Sequence, residues 1–307
     1  MTITVAKTDS FFSLPTMEQK LKPWQGVDGI VVVNMDTSPE RLEAFCEKVG
    51  QFLPQDRFER ISAVAGRELD SYGKPPWFTE KTGERARFWG GTAGCTLSHR
   101  NALRLAKERG WRNILIFEDD AVLPQPEHVG LAVAEALRTL SGRYLFYLGY
   151  TRPSPYGQKV GKLAGDVELW KTEGVLATHA YLVPQSMYEP LLELLPEHDD
   201  DVWAWLSRYR AIDAMYRVYA PAKTGAAVYV MHPLQCVQSL GMSVIGGGST
   251  EEDDCNCYAG PIPCYGVHRA WRWLTTPLRR LHAWLNSLRT RVRAARGGLP
   301  GFRKRSE

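Results

Sequence analysis

Residues 91–123, GTAGCTLSHRNALRLAKERGWRNILIFEDDAVL, constrain the fold of this chain more than any other stretch. Ala102, Leu105 and Ala106 recur at helical spacing after Ser98, which is placed as an N-cap, and Gly110 is placed to stop the helix. Residues 114–117, ILIF, form a short apolar run with β-branched members, as expected of a strand covered on both faces. Glu118, Asp119 and Asp120 arrive together where that run ends. Adjacent carboxylates repel, so such a cluster at a sheet edge implies either a bound cation or a solvated turn, here one capped by Pro124. Ligands of open α/β sheets gather outside the carboxyl ends of the strands. Hard divalent ions such as magnesium and manganese combine carboxylate oxygens with phosphate oxygens of a substrate. The stretch therefore points to a metal–phosphate site at a strand end.

The string GCTLSHRNAL…ILIFEDDAVL resembles the central signature of glycosyltransferase family 25, the lipopolysaccharide-type transferases that also include collagen galactosyltransferases. The resemblance spans roughly residues 29–245 and thins after about residue 190. It implies a GT-A type of fold and a UDP-sugar donor. It also implies a manganese or magnesium ion on an acidic motif of the DxD kind, with Asp119 and Asp120 as ligands and Glu118 beside the donor. Ser98 and His99 belong to the same signature and are expected at the donor. In the opening motif VVVNMDTSPERLEAF, the resemblance turns Asn34, Asp36 and Arg41 toward the donor; helix capping and surface charge are the alternative roles. Ala63, Val64 and Gly66 in FERISAVAG match the family, as do Gln238, Ser243 and Ile245 in LQCVQSLGMSVIGGG. The implied reaction is transfer of a hexose, galactose by resemblance, to a glycan hydroxyl with inversion at the anomeric carbon. The acceptor would be a lipopolysaccharide oligosaccharide or another lipid-linked glycan.

The remaining sequence supports an α/β body with a mixed, mostly parallel sheet. Residues 30–33, IVVV, form the first strand, and no GxGxxG follows it, so the dinucleotide fingerprint is absent. Further strands are expected near residues 58–66, this one running into a turn, and near 144–148, 175–183 and 228–230, with a loop or hairpin over 151–174. Residues 67–90 form a long polar connection, either functional or without fixed structure. His179 sits in an apolar strand and reads as a core residue. The EHDDD cluster at 197–201 precedes a helix whose N-terminus it can stabilise.

Direct displacement needs a base for the acceptor hydroxyl. The acidic motif is committed to metal, which leaves Asp166, Glu168, the EHDDD cluster and Asp213. Asp213 is preferred because it stands between Ile212 and Ala214, and a late Asp of the family falls there.

At 307 residues, with 44% hydrophobic and 23% charged residues, the chain can bury a substantial core. Residues 1–27 read as an arm with Trp24 docking on the body, 28–267 as the transferase domain and 268–307 as a basic tail. That tail carries ten arginines, one lysine and one glutamate, a net +10, so the first 267 residues carry −6. Trp271, Leu274, Leu278, Leu281, Leu285, Leu288 and Val292 form a helical apolar stripe along it. A basic amphipathic helix of this kind suits an anionic membrane surface, or packs on the body with its arginines in water. A nucleic-acid partner is not expected, because no aromatic-interleaved motif accompanies the charge. No signal-peptide core or membrane-spanning run is visible, so the expected place is the cytoplasm, peripheral on the inner membrane face. Cys255, Cys257, Cys264 and His268 could hold zinc or remain free thiols. Two other classes share parts of these features: a nucleotidyltransferase, for which the basic glycine-rich phosphate loop is missing, and a non-catalytic glycan- or membrane-binding protein.

Overall fold

The computed structural model describes residues 21–75, 77–151 and 157–239, with four isolated positions, 281, 285, 288 and 292. In chain order the elements are β1 (Gly29–Asn34), α1 (Pro39–Lys48), β2 (Phe58–Ser62), α2 (Gly83–Glu108), β3 (Asn113–Glu118) and β4 (Ala121–Val122). They continue with α3 (Pro126–Thr139), β5 (Tyr144–Tyr147), β6 (Gly157–Lys162), β7 (Glu168–Thr172) and β8 (Ala180–Pro184). The last are α4 (Tyr188–Leu192), α5 (Val202–Tyr209), α6 (Ile212–Thr224), β9 (Ala227–His232) and β10 (Val237–Gln238). Eight strands form one sheet in the order β2-β1-β3-β8-β5-β9-β7-β6, and β10 pairs with β4 alone. The sheet is mixed: β1 runs parallel to β2 and β3, β5 runs parallel to β9, and the other pairings are antiparallel. Within the stretch 151–174, expected as a loop or hairpin, β6 and β7 pair antiparallel.

Alternation along the central strands builds a core on each face. Val31, Val33, Ile114 and Ile116 point to the side of α2, α5 and α6, among Leu97, Trp203, Met215 and Tyr216. Ile30, Val32, Leu115 and Phe117 point to the side of α1 and α3, with Phe45, Val129 and Val133. Because β1 and β3 are covered on both faces, they read in sequence as unbroken apolar runs. Trp24 docks as expected: it is buried, its indole nitrogen donates to Phe52 O at 2.9 Å, and its amide donates to Gly130 O at 2.8 Å.

The helix of the central motif begins at Gly83, well before the expected N-cap Ser98, so a third of the expected 67–90 connection, residues 83–90, is helical. Ser98 is not an N-cap. It lies mid-helix, where its hydroxyl donates to Gly94 O at 2.6 Å and accepts from Val64 N at 2.8 Å. Gly90 and Gly94 explain the shift. A Cβ on Gly94 would overlap the Val64 carbonyl oxygen, and a Cβ on Gly66 would lie 2.5 Å from Gly94 N. The missing side chains let the 63–66 loop rest directly on the helix backbone. That contact offsets the roughly 1 kcal/mol that each interior glycine costs a helix. Gly110, at φ +65°, ends the chain's turn off the helix as expected.

The EHDDD cluster is structural. His198 N donates to Asp201 Oδ2 at 3.0 Å, and the buried Arg100 of α2 reaches Asp199 Oδ1 at 2.6 Å. Among the described residues no helix is long and apolar enough to cross a membrane. Leu281, Leu285, Leu288 and Val292 of the expected tail stripe are helical and exposed. Ser243, Cys255, Cys257, Cys264 and His268 lie outside the described residues.

Gly94→Ala is expected to lower stability by about 1–3 kcal/mol, the usual cost of overpacking a close contact. Gly161→Ala, where an added Cβ meets nothing within 4 Å, should change it by less than about 0.5 kcal/mol. Urea denaturation of the two variants measures the difference, and equal midpoints would remove the close contact as the reason for the helix's position.

Candidate active site

β1 and β3 are adjacent and parallel, so their carboxyl ends, Asn34 and Glu118, open on the same edge of the sheet. The antiparallel strand β8 enters on the far side of β3, with Ala180 opposite Phe117, and Glu118 N donates to His179 O at 3.0 Å. This edge holds a cavity of about 360 Å³. Its walls come from the turn after β1, the loop 63–68, the glycine face of α2, the three carboxylates and Gln238.

Each carboxylate has its own environment. Asp119 Oδ2 accepts from Asn34 Nδ2 at 2.8 Å, and its Oδ1 accepts from Arg41 Nε at 2.9 Å. The Arg41 guanidinium also lies 3.7 Å from Asp120 Oδ2. Asp120 Oδ2 accepts from Gln238 Nε2 at 3.3 Å, while Asp120 Oδ1 is buried without a hydrogen-bond partner among the described residues. Burial, joined by the charge of Glu118 and opposed by Arg41, pushes the Asp120 carboxyl up to about 7. Burial works against Glu118 too. There the hydrogen bond from His99 and the Thr178 hydroxyl, which donates at 2.7 Å, outweigh it and hold the carboxyl down at about 2. Behind Glu118, His99 Nε2 is 3.3 Å from Oε1, and its Nδ1 is 2.9 Å from the Tyr181 hydroxyl.

Of the residues expected at the donor, Arg41, Ala63, Gly66, Ser98, His99, Glu118 and Gln238 line the cavity together with Asp119 and Asp120. Asn34 and Asp36 do not. Asn34 is buried behind the wall, donating to Asp119 and Ser38 O and accepting from Arg60 Nε at 3.1 Å. Asp36 is exposed, forms an ion pair with Arg60 and accepts from Ser62 Oγ at 2.7 Å. Their absence from the cavity lining has a geometric reason. Asn34 ends the strand on its inner side, and Asp36, two residues on, has turned toward the surface end of β2.

Asp213 lies in the first turn of α6, outside the cavity lining. Its Oδ2 accepts from Ala177 N at 3.3 Å and its Oδ1 from Ala214 N at 2.6 Å. Burial raises its pKa, against those two backbone hydrogen bonds. The segment 177–178 therefore touches Asp213 on one side and Glu118 on the other. Among the alternative bases, Glu168 is taken up by an ion pair with Lys159 and by Trp170 Nε1 at 2.8 Å. His179 is fully buried with Nε2 3.3 Å from Cys236 O, and burial lowers its pKa, as fits a core residue.

The sequence reading missed Cys95, Arg67, Thr178 and Tyr181. Cys95 and Arg67 line the cavity, and the other two hold Glu118 and His99 in place. The four-residue spacing of Cys95 and His99 on one helix was the signal available for the first. Thr178, just before β8, and Tyr181, within it, are distant in sequence from the carboxylates, and no local spacing links them to the site.

Among solved structures the chain is similar to the mannose-1-phosphate geranyltransferase of Thermus thermophilus, at 16% identity and a TM-score of 0.37, covering 67% of this chain and 74% of that one. It is also similar to A197 from STIV, at 10% identity and a TM-score of 0.36, covering 77% and 97%. None of the curated proteins compared matches the chain. A family model described as glycosyltransferase family 25 (LPS biosynthesis protein) matches residues 27–145; Asp213, Gln238 and Ser243 fall beyond its end. The part of the chain that carries β1, α1, α2, β3 and the three carboxylates is thus a match to glycosyltransferase family 25, the family its motifs resemble.

Proposed function

We propose that the chain is a glycosyltransferase of GT-A type that moves a hexose, galactose by family resemblance, from a UDP-sugar to a hydroxyl of a glycan such as a lipopolysaccharide oligosaccharide. The observation that carries this reading is the cavity at the carboxyl edge of β1 and β3, where family-motif residues and three carboxylates line one wall system. Arg41 and Arg67 bring positive charge to it, which suits a diphosphate.

The residues fit a divalent ion in part. Asp120 Oδ1 is a buried carboxylate oxygen without a partner among the described residues, and Glu118 is held as an anion near it in the same motif. Both Asp119 oxygens already accept hydrogen bonds, from Asn34 and Arg41, so Asp119 serves first as the anchor of Arg41. Manganese or magnesium would be held by Asp120, with Glu118 and Asp119 completing the acidic set. When bound, it would offset charge developing on the departing diphosphate. The chain's own share is to seat the diphosphate beside Arg41 and to keep the carboxylates in one arrangement, so that little reorganisation is left for the reaction.

Asp213 is our candidate for the base. In an inverting displacement the acceptor oxygen attacks the anomeric carbon as the bond to UDP breaks, and its proton passes to a carboxylate. A pKa raised by burial brings that carboxylate nearer neutrality, which strengthens it as a base. The basic tail, with its helical and exposed Leu281, Leu285, Leu288 and Val292, supports placement on an anionic membrane that carries lipid-linked acceptors.

Release of free UDP across a panel of UDP-sugars tests the donor class, and no release with any of them, in the presence of acceptor glycan, would rule the reading out. Asp120→Asn should lower turnover by roughly 10²–10³-fold and weaken manganese binding by calorimetry; unchanged manganese dependence would remove Asp120 from the metal.

Asp213→Asn should cut turnover by about 10²-fold or more, with UDP and manganese affinity nearly unchanged. Wild-type turnover should fall as pH drops through the raised pKa of Asp213, because only the carboxylate accepts the proton, and the Asn variant should lose that limb. Donor affinity collapsing with the rate would instead make Asp213 a structural clasp for residues 177–178.

Removing residues 271–307 should weaken sedimentation with anionic vesicles while turnover on a short soluble acceptor survives. Salt should weaken vesicle binding of the intact protein, since each basic residue near such a surface contributes about 1 kcal/mol that ions screen. Vesicle binding that the truncation leaves intact would exclude the tail as the anchor.

A further inference from the structure

Cys95 and His99 stand one turn apart on the cavity side of α2, facing Glu118 at the end of β3. One ligand atom from each, the cysteine Sγ, an imidazole nitrogen and a carboxylate oxygen, lie within 4.8 Å of one another. We propose that these three residues form a binding site for a thiophilic divalent cation, zinc or cobalt in type, which adjoins the all-oxygen position at Asp119 and Asp120 and shares Glu118 with it. The proposal goes beyond the transfer reaction and stands whether or not that reaction is the right one.

Three observations carry it. The first is the donor set: a thiolate, an imidazole and a carboxylate are the ligand types of three-ligand zinc sites that keep a position open for water or substrate. The open position here faces the cavity, through which an ion can enter, since Cys95 is only partly buried. The second is the supporting shell. A ligating imidazole is usually fixed by a hydrogen bond at its other nitrogen, and a ligating carboxylate is itself hydrogen-bonded. His99 Nδ1 lies 2.9 Å from the Tyr181 hydroxyl, and Glu118 Oε1 accepts from Thr178 Oγ1 at 2.7 Å. His99 Nε2 lies 3.3 Å from Glu118 Oε1, and a cation bound between them would take the place of the proton shared there, with the imidazole proton then on Nδ1 toward Tyr181.

The third is the acidic surroundings: Glu118, Asp119 and Asp120 line the same cavity, and their negative charge draws a divalent cation. Binding would expel the thiol proton to solvent as the Cys95 sulfur becomes a thiolate ligand. Soft sulfur selects zinc or cobalt over magnesium, so the two neighbouring positions differ in the ions they prefer.

Cobalt(II) titration of the full chain carrying Cys255→Ser, Cys257→Ser and Cys264→Ser, which removes the other thiols that could hold the ion, is followed by visible and near-ultraviolet absorption. A thiolate-to-cobalt charge-transfer band should appear, and zinc should displace it. Cys95→Ser should abolish the band, Tyr181→Phe should weaken zinc affinity by about 10- to 100-fold, and Asp120→Asn should leave the band in place. Should Cys95→Ser fail to fold, the wild-type chain answers the question. Zinc should slow alkylation of Cys95 by iodoacetamide, followed by peptide mass spectrometry, while leaving the exposed Cys46 reactive. No charge-transfer band together with alkylation of Cys95 that zinc does not slow, or a band that survives Cys95→Ser, would overturn the proposal.

Discussion

Three successive carboxylates at the end of a buried strand are an electrostatic load that the surrounding structure has to carry. Two like charges about 4 Å apart repel by about 4 kcal/mol in a medium of effective dielectric near 20. The chain meets this load with groups from separate elements. Arg41 comes from α1, Asn34 from β1, His99 from α2, Thr178 from the segment before β8 and Gln238 from β10. Their convergence leaves the three carboxyls in different states, with Glu118 held low and Asp120 pushed up. A shared problem thus yields three chemically distinct positions within one short run.

Topology brings those groups together. The parallel trio β2-β1-β3 opens its carboxyl ends on one edge, and the antiparallel β8 returns the 177–179 segment to the same edge. Thr178 and His179 therefore meet Glu118, although some 60 residues separate them. On the other wall, the glycine face of α2 lets the 63–66 loop approach the helix backbone, and the cavity lies between that loop and the carboxylates. Rigidity at this wall follows from close backbone contact, which leaves no side chain to rearrange.

Arg41 and Cys95 mark two sides of the same acidic edge. On one side a guanidinium sits on Asp119 with Asp120 near it, so a fixed positive charge already balances part of the motif. On the other, a thiol, an imidazole and Glu118 cluster without a fixed cation among them. Hard oxygen donors and a mixed sulfur–nitrogen–oxygen set thus adjoin, and they differ in the ions they favour.

The sequence by itself determined β1 and β3, the two-sided burial of β3, the docking of Trp24 and the place of the carboxylates. These follow from short-range physics: apolar runs of strand length, turn residues and a tryptophan with nowhere else to bury its ring. It placed Arg41, Ala63, Gly66, Ser98 and His99 at one site only through family resemblance, since nothing local links them. The start of α2 was misread because Gly90, Gly91 and Gly94 weaken a helix judged alone. Only the packed loop shows why they are there. Asn34 and Asp36 were assigned a common direction, yet a strand end and the turn after it send neighbouring side chains to different sides. What tertiary structure alone decided is which donors meet: Tyr181 with His99, Thr178 with Glu118, Gln238 with Asp120. Those pairings depend on strand order and register across the sheet, and no local property of the chain encodes them.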